Sequence, residues 1–285
     1  MSKAEHTPAG IVADSSAGAL CEQLAATWRE LITLCATMTA EQWDRPTDCP
    51  GWTVADQVAH VVGTEQLLLG GMEAPAELAG GRPGYVHNDI GELNERWVRH
   101  YRGAGTEQLT ADLRSVTAQR LDQLRAMDEA AFDAPSWTPI GQATYRRFMQ
   151  IRVFDCWTHE QDVRQAIGRP GHGEGAAAEQ ALDEVVRALG YLVGKKAAAP
   201  EGSTVTFDIT APLRRLVHVA VATRAGVVDH LDAAATTVVR TSSDVFMRVA
   251  CGRQPALDAV ARGQISLSGD TDLGRQIATN LAFTI

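Results

Sequence analysis

In YRRFMQIRVFDCWTHEQDVRQAIG, residues 145–168, an aspartate and a histidine stand four residues apart. The segment is apolar nearly all round at helical spacing. Met149, Val153, Phe154 and Trp157 cover one side, and Phe148, Ile151 and Ala166 lie on the other. A helix of that composition is buried. Yet Arg152, Asp155, His159 and Asp162 run along it as a polar stripe. Side chains four apart on a helix converge, so Asp155 and His159 can act on one atom. Taking a carboxylate out of water is costly unless it is paired or coordinates a metal. Asp155 therefore has two readings: an ion pair with Arg152 or His159, or half of a helix-borne metal pair completed from a neighbouring helix. Asp162 is expected to pair at the surface with Arg152 or Arg164.

A third ligand has to come from elsewhere, and CPGWTVADQVAHVV, residues 49–62, offers one. Pro50-Gly51 breaks the chain, Thr53 can cap a helix, and Asp56 completes a capping-box pattern. Val54, Val58, Val61, Val62, Leu68 and Leu69 then share one face. His60 points roughly the opposite way, with Asp56, Gln57, Gly63 and Thr64. Either that face is solvated and His60 is idle, or it looks into a site shared with another helix. With Asp155 and His159 on a bundle neighbour, His60 is the natural third ligand. Three protein ligands leave one coordination position open, as in catalytic zinc sites. The other histidines are weaker candidates. His6 falls in the N-terminal stretch, His172 in a loop, and His218 and His230 in the C-terminal part; His87 and His100 are expected at the surface. Asn94, Glu95 and Trp97 could support the site or be ordinary helix surface.

The elements that must position these residues follow from periodicity. A helix is expected from Ala17 to about Trp43, and a second carries His60 and ends near Gly70. A Gly/Pro-rich loop follows. Helical pattern resumes from about Asp89 to Met127, broken near Gly103–Gly105. SWTPIGQ reads as a turn before the helix of Asp155. These are four main helices, a bundle. After a further helix, Glu174–Lys196, the texture changes to alternation in TVTFDIT and RLVHVAVAT, with short strands at Val227-Val228, TTVVRT and QISLSGD. Helices are expected at SSDVFMRVACG and TDLGRQIATNLAF. The expected division is a flexible tail over residues 1–15, a helical domain over 16–171, and a small α+β domain with a mostly antiparallel sheet over 172–285.

Bulk properties narrow the function. The 285 residues are 45% hydrophobic and 21% charged, an ordinary globular composition. A formal net charge of −9 argues against a nucleic-acid surface. The five cysteines are scattered, with no CxxC pair, which fits neither a disulfide framework nor a Cys-rich zinc module but fits a reducing cytoplasm. Residues 1–15 lack the apolar core of a signal peptide, and no apolar run reaches membrane-spanning length. A cytoplasmic monomer or dimer that binds no membrane is expected.

Two runs resemble a known family. W-x-x-P-T-x-C-P-G-W-T-V-x-D-x-V-A-H, from Trp43 to His60, and R-x-F-D-C-W-T-H-E-Q-D-V-R-x-A-x-G-R-P-G, from Arg152 to Gly171, resemble the N-terminal domain of the mycothiol-dependent maleylpyruvate isomerase family. That domain is a DinB-like four-helix bundle. The segment VACGRQPALDAVARGQISLSGDTDLGRQIATNLAF resembles the family's sterol-carrier-like C-terminal domain. The resemblance implies a divalent metal, usually zinc, held by His60, Asp155 and His159. The isomerase carries Glu at the carboxylate position, where this chain has the shorter Asp155. The resemblance also implies mycothiol as thiol cosubstrate, and a C-terminal domain that closes the cleft and presents an arginine, for which Arg214, Arg215, Arg224 and Arg240 are all open. Arg152, Arg224 and Arg240 are candidates for binding substrate or cofactor.

The metal would ionise the thiol for attack on a small electrophile. Release of the adduct makes an S-transferase; addition, bond rotation and elimination make a cis–trans isomerase. Two other readings stay open. Two histidines and a carboxylate also form the iron site of non-haem oxygenases. A non-catalytic protein that binds metal or a small molecule is the other. Cys156, beside Asp155, is most simply core.

Overall fold

Capping side chains fix where most of the first helices start. In the computed structural model, which describes residues 10–70 and 74–284, Ser16 caps α1 (Ala17–Cys35), Thr39 caps α2 (Ala40–Trp43) and Thr53 caps α3 (Val54–Leu69). Asn88 caps α4 (Asp89–Tyr101), which is followed by α5 (Thr106–Arg125). Asp128 caps α6 (Glu129–Phe132). A hairpin of β1 (Pro135–Thr138) and β2 (Gly141–Thr144) then leads into α7 (Tyr145–Ile167), capped by Thr144. The capping box at the start of α3 is complete. Asp56 N donates to Thr53 Oγ1, and Thr53 N donates to Asp56 Oδ2 at 2.9 Å. At its other end Gly70 takes the left-handed conformation, φ +71°, that stops a helix at low cost.

Two expectations need adjustment. The helix drawn from Ala17 to Trp43 is two helices, because residues 36–39 leave helical geometry before Thr39 starts α2. SWTPIGQ is not merely a turn: Ser136 pairs with Ala143 and Trp137 with Gln142 in an antiparallel register.

The chain divides into two compact units. In Asp14–His172, α3 lies against α5 and α7, and α1 lies against the same two helices, so these four close a bundle. Its core is built from residues at helical spacing: Leu20, Leu24, Trp28 and Leu31; Val54, Val58, Val61 and Val62; Leu113 and Val116; Met149, Val153 and Val163. Helix α4 packs on the outer side of α3.

The second unit is Gly173–Thr284 with residues 10–13. It runs α8 (Ala176–Tyr191), a π turn at Leu192–Lys196, β3 (Thr204–Thr210), β4 (Arg215–Val221), β5 (Ala225–Val228), β6 (Thr237–Ser242), α9 (Ser243–Ala250), α10 (Ala256–Ala261), β7 (Ile265–Gly269) and α11 (Thr271–Thr279). The sheet order is β5-β4-β3-β6-β7, antiparallel except for the parallel β3–β6 pair. Val205, Phe207 and Ile209 of β3 and Val217, Val219 and Val221 of β4 are buried at alternate positions. Helix α10 has no counterpart among the elements expected from periodicity. The fold is thus a four-helix bundle followed by a small α+β domain, as the residue pattern leads one to expect.

Residues 1–9 of the stretch expected to be a tail lie outside the described residues. From Gly10 onward the chain is tied down: Val12 N and Ala13 N donate to Asp183 Oδ2 at 3.0 and 2.8 Å, and Arg215 donates to the Gly10 carbonyl at 2.6 Å. Among the described residues no helix is long and apolar enough to cross a membrane.

Gly63 shows how tightly α4 is set on α3. A Cβ there would lie 2.4 Å from Cγ of the buried Trp97. Alanine normally favours a helix interior over glycine by about 1 kcal/mol, but here the overlap forces two packed helices apart. Gly63→Ala is expected to destabilise the protein by about 1–3 kcal/mol, read as an earlier denaturant midpoint. An unchanged or later midpoint would contradict the packing described.

Candidate metal centre

Helices α3 and α7 bring the three candidate ligands together. His60 Nε2 lies 3.1 Å from Asp155 Oδ2, and His159 Nε2 lies 3.4 Å from Asp155 Oδ1. The two imidazole rings meet edge to face with centroids 4.5 Å apart. One possible ligand atom from each of the three residues falls within 4.8 Å of the others. The face carrying His60 is not solvated: Asp56, Gln57 and His60 are all buried. The Asp155 side chain keeps 28% of its exposure, so the cluster meets solvent on that side.

The protonation pattern is set by a chain of hydrogen bonds that begins in the linker before α3. Thr47 Oγ1 donates to the Trp52 carbonyl at 2.9 Å and accepts from Gln57 Nε2 at 2.7 Å. With its amide nitrogen so engaged, Gln57 turns Oε1 toward His159 Nδ1, 2.5 Å away. An amide oxygen only accepts, so His159 Nδ1–H donates to Gln57 Oε1, which leaves Nε2 as the nitrogen turned toward Asp155. His60 is neutral: burial pulls its pKa down to about 4, more than Asp155 raises it. Its Nδ1 is buried without a hydrogen-bond partner. Partial burial pushes the Asp155 carboxyl up, but His60, Arg152 and His159 outweigh that and hold it well below the ordinary carboxylate range.

The Nε2 atoms of His60 and His159 face the two Asp155 oxygens, at 3.1 and 3.4 Å. Two neutral imidazoles and one carboxylate are a donor set that zinc and other first-row divalent ions accept. The residues present therefore fit a divalent cation.

Arg152 stands beside the triad. Its Nη1 donates to Asp155 Oδ2, its Nε and Nη2 donate to Glu65 Oε1 at 3.1 and 2.6 Å, and Nη2 also lies 3.2 Å from Cys156 Sγ. The ion-pair reading of Asp155 and the convergence with His60 and His159 thus hold together. Burial pushes the Cys156 thiol up to about 12, which fits a core residue.

Trp52 forms a wall of the site, its ring 5.3 Å from that of His60 and 5.8 Å from that of His159. Its indole N–H donates to Glu95 Oε2 at 3.0 Å, and Glu95 Oε1 accepts from Tyr85 Oη and Arg99 Nε. Glu95 is therefore a fully buried anchor for that wall rather than helix surface. Trp97 packs on Gly63 instead, and Asn94 is half-buried.

Asp162 departs from expectation. It is 5% exposed and its Oδ2 lies 3.7 Å from His159 Nδ1, while Arg152 is committed to Glu65 and Arg164 to Glu160 and Glu30. Asp162 lies inside the bundle rather than at the surface where the pair was expected. Of the arginine candidates, Arg224 is exposed in the turn after β4, Arg214 is exposed, Arg215 binds Glu179 and Asp183, and Arg240 pairs with Asp208. Among the remaining histidines, His172 Nδ1 is 2.7 Å from Glu160, His218 pairs with Thr206, and His87, His100 and His230 are exposed. Thr47, Gln57, Glu65 and Trp52 had no assigned role in the sequence. The available signal for Gln57 was its place one turn before His60, and for Glu65 a carboxylate on a helix otherwise rich in valine and leucine.

Residues 24–164 match the mycothiol maleylpyruvate isomerase N-terminal domain, and residues 179–276 match the C-terminal domain described for the same enzyme. An uncharacterized protein of Mycobacterium tuberculosis, in strains H37Rv and CDC 1551 / Oshkosh, is 25% identical over 142 residues, 49% of this chain and 52% of the relative. The match spans about half the length of those relatives. The solved structure of the mycothiol-dependent maleylpyruvate isomerase, and that of a histidine-to-alanine mutant of it, superpose with a TM-score of 0.56. The superposition covers 89% of this chain and 94% of theirs at 16% identity, a likeness of fold.

If Gln57 fixes the tautomer of a ligand, Gln57→Leu should weaken zinc binding about 10–100-fold in a chelator competition, with the melting temperature of the metal-free protein changed much less. Equal affinity in variant and wild type would remove Gln57 from the site.

Proposed function

The chain belongs to the mycothiol-dependent maleylpyruvate isomerase family, and on that footing we propose that it is a metal-dependent enzyme that activates the thiol of mycothiol for attack on a small electrophile. The observation that carries this reading is the convergence of His60, Asp155 and His159 within 4.8 Å, with His159 Nε2 turned toward Asp155. These three residues would hold a divalent ion, which we propose to be zinc. Such an ion supplies a Lewis acid that keeps a thiol ionised near neutral pH.

The protein's own residues do the rest. Two neutral imidazole ligands would add no charge, so an ion held by them and Asp155 would keep a net charge of +1, enough to favour a thiolate over a thiol. Gln57 and Thr47 hold the His159 ring in one tautomer. Trp52 covers both imidazoles and keeps water from that side. The partly open edge at Asp155 is where thiol and electrophile meet.

Two outcomes of the attack are consistent with this site. In cis–trans isomerisation the sulfur adds to one end of a conjugated double bond, the former double bond rotates as a single bond, and the thiolate leaves with no net change in atoms. In transfer the sulfur displaces a leaving group and the adduct departs. Family membership supports the first for this chain.

Elemental analysis of wild type and His159→Ala, prepared in parallel, tests the site: about one zinc per chain is expected in the wild type, and its loss in the variant. Mycothiol added to the zinc-loaded wild type should release a proton at neutral pH, and with His159→Ala it should not. Iron together with oxygen consumption would replace this reading with an oxygenase. No metal in either sample, after metal-supplemented expression, would overturn it.

A further inference from the structure

Asp155 Oδ2 lies 3.1 Å from His60 Nε2, yet an ion there would have to share it. Oδ2 is taken by Arg152 Nη1, and that guanidinium is itself pinned by two donations to Glu65 Oε1. The other Glu65 oxygen accepts from Arg120 Nε at 2.9 Å, and Arg120 Nη2 donates to Tyr145 Oη at 3.0 Å. Arg152, Glu65 and Arg120 are 3%, 1% and 1% exposed. Arg152 therefore cannot swing out to water to make room. Doing so would strip Glu65 of one of its two cations inside the bundle, where unbalanced charge is least tolerated.

The charges of this chain cancel. Two carboxylates, Asp155 and Glu65, face two guanidiniums, Arg152 and Arg120. A divalent ion arriving between His60, Asp155 and His159 enters neutral surroundings, not anionic ones. It meets a carboxylate already shared and a fixed positive charge directly behind it, with little solvent to screen the repulsion.

Resting on the metal reading above, we propose that Arg152 is a positioning residue that competes with the metal for Asp155: it claims Oδ2, leaves Oδ1 as the single oxygen for the ion, and gives up metal affinity for a more electron-poor centre. A centre less neutralised by its own ligands polarises an incoming thiol more strongly. A merely structural Arg152 predicts the opposite sign. If the guanidinium only braces Asp155, removing it loosens the ligand and weakens metal binding.

The discriminating variant is Arg152→Gln, which keeps Glu65 paired with Arg120 and deletes the competing charge. Zinc affinity of the metal-free proteins is measured by chelator competition, and thermal melting is followed with and without zinc. Arg152→Gln is expected to bind zinc about ten-fold more tightly than wild type, opposite in sign to the loss of about 10–100-fold that removing a supporting outer partner brings. Its metal-free form should melt earlier, because Asp155 has lost its cation, and should gain more on adding zinc than the wild type does. Weaker zinc binding by Arg152→Gln than by wild type would overturn the proposal. Zinc-edge X-ray absorption on the loaded wild type needs no variant. A single carboxylate oxygen at the ion is expected, and two oxygens from one carboxylate would overturn the proposal even if Arg152→Gln failed to fold. Failure of the metal reading looks different: wild type would then bind no more zinc than His159→Ala.

Discussion

A carboxylate inside a helix bundle has to be neutralised by something fixed, and Glu65 sets that condition for the whole first unit. Its two oxygens take one guanidinium from α5 and one from α7. Helices α3, α5 and α7 are thereby locked in register by charge as well as by the apolar layers around Val58, Val61, Leu113 and Val153. Removing one member of such a buried set costs about 3–5 kcal/mol, because the partners left behind cannot reach water. The same obligation reaches the candidate site, since the guanidinium held by Glu65 also holds Asp155. The site is consequently not an appendage on the bundle surface. It is the outer end of the ionic chain that fixes the bundle's geometry.

Neutral hydrogen bonds approach the site from the opposite side and settle a different question. Thr47 and Gln57 have no net charge, but their donors and acceptors are ordered in one direction, from the Trp52 carbonyl to the His159 ring. That polarity decides which nitrogen of His159 is free. Trp52 links the two sides, because its carbonyl starts this chain while its ring covers both imidazoles and its N–H ends on buried Glu95. The linker before α3, with its Thr47-to-Trp52 turn, thus serves two ends: it starts the helix that carries His60 and orients the ring of a residue on another helix.

Much of this was legible in the residue order, for identifiable reasons. Helix starts were readable where a side chain writes them locally, as Thr53 with Asp56 and Thr144 do. Asp155 and His159 were readable because a polar pair one turn apart on an otherwise apolar helix conflicts with burial. His60 followed by its place on the polar face of a neighbour. Glu65 was not readable as a partner, since Arg152 and Arg120 come from two other helices and only tertiary packing brings them together. Asp162 was expected at the surface because a charged side chain usually finds water, whereas its position on α7 is 5% exposed. The break at residues 36–39 was missed because apolar spacing continues through it, and the capping box of Thr39 with Gln42 is what ends the first helix's reach.

Asp155 and Arg152 are best understood as one choice rather than two. Family resemblance leads to glutamate at position 155, a side chain one carbon longer. On α7 the guanidinium three residues back meets the Asp155 carboxylate close to the helix. A glutamate would carry its oxygens about one carbon–carbon bond, roughly 1.5 Å, further toward the imidazoles and away from Arg152. The shorter residue thus keeps the carboxylate within the Glu65 chain and asks the two histidines to come to it, which the 3.1 and 3.4 Å separations achieve. The geometry of the candidate site is thereby coupled to the charge balance of the bundle core.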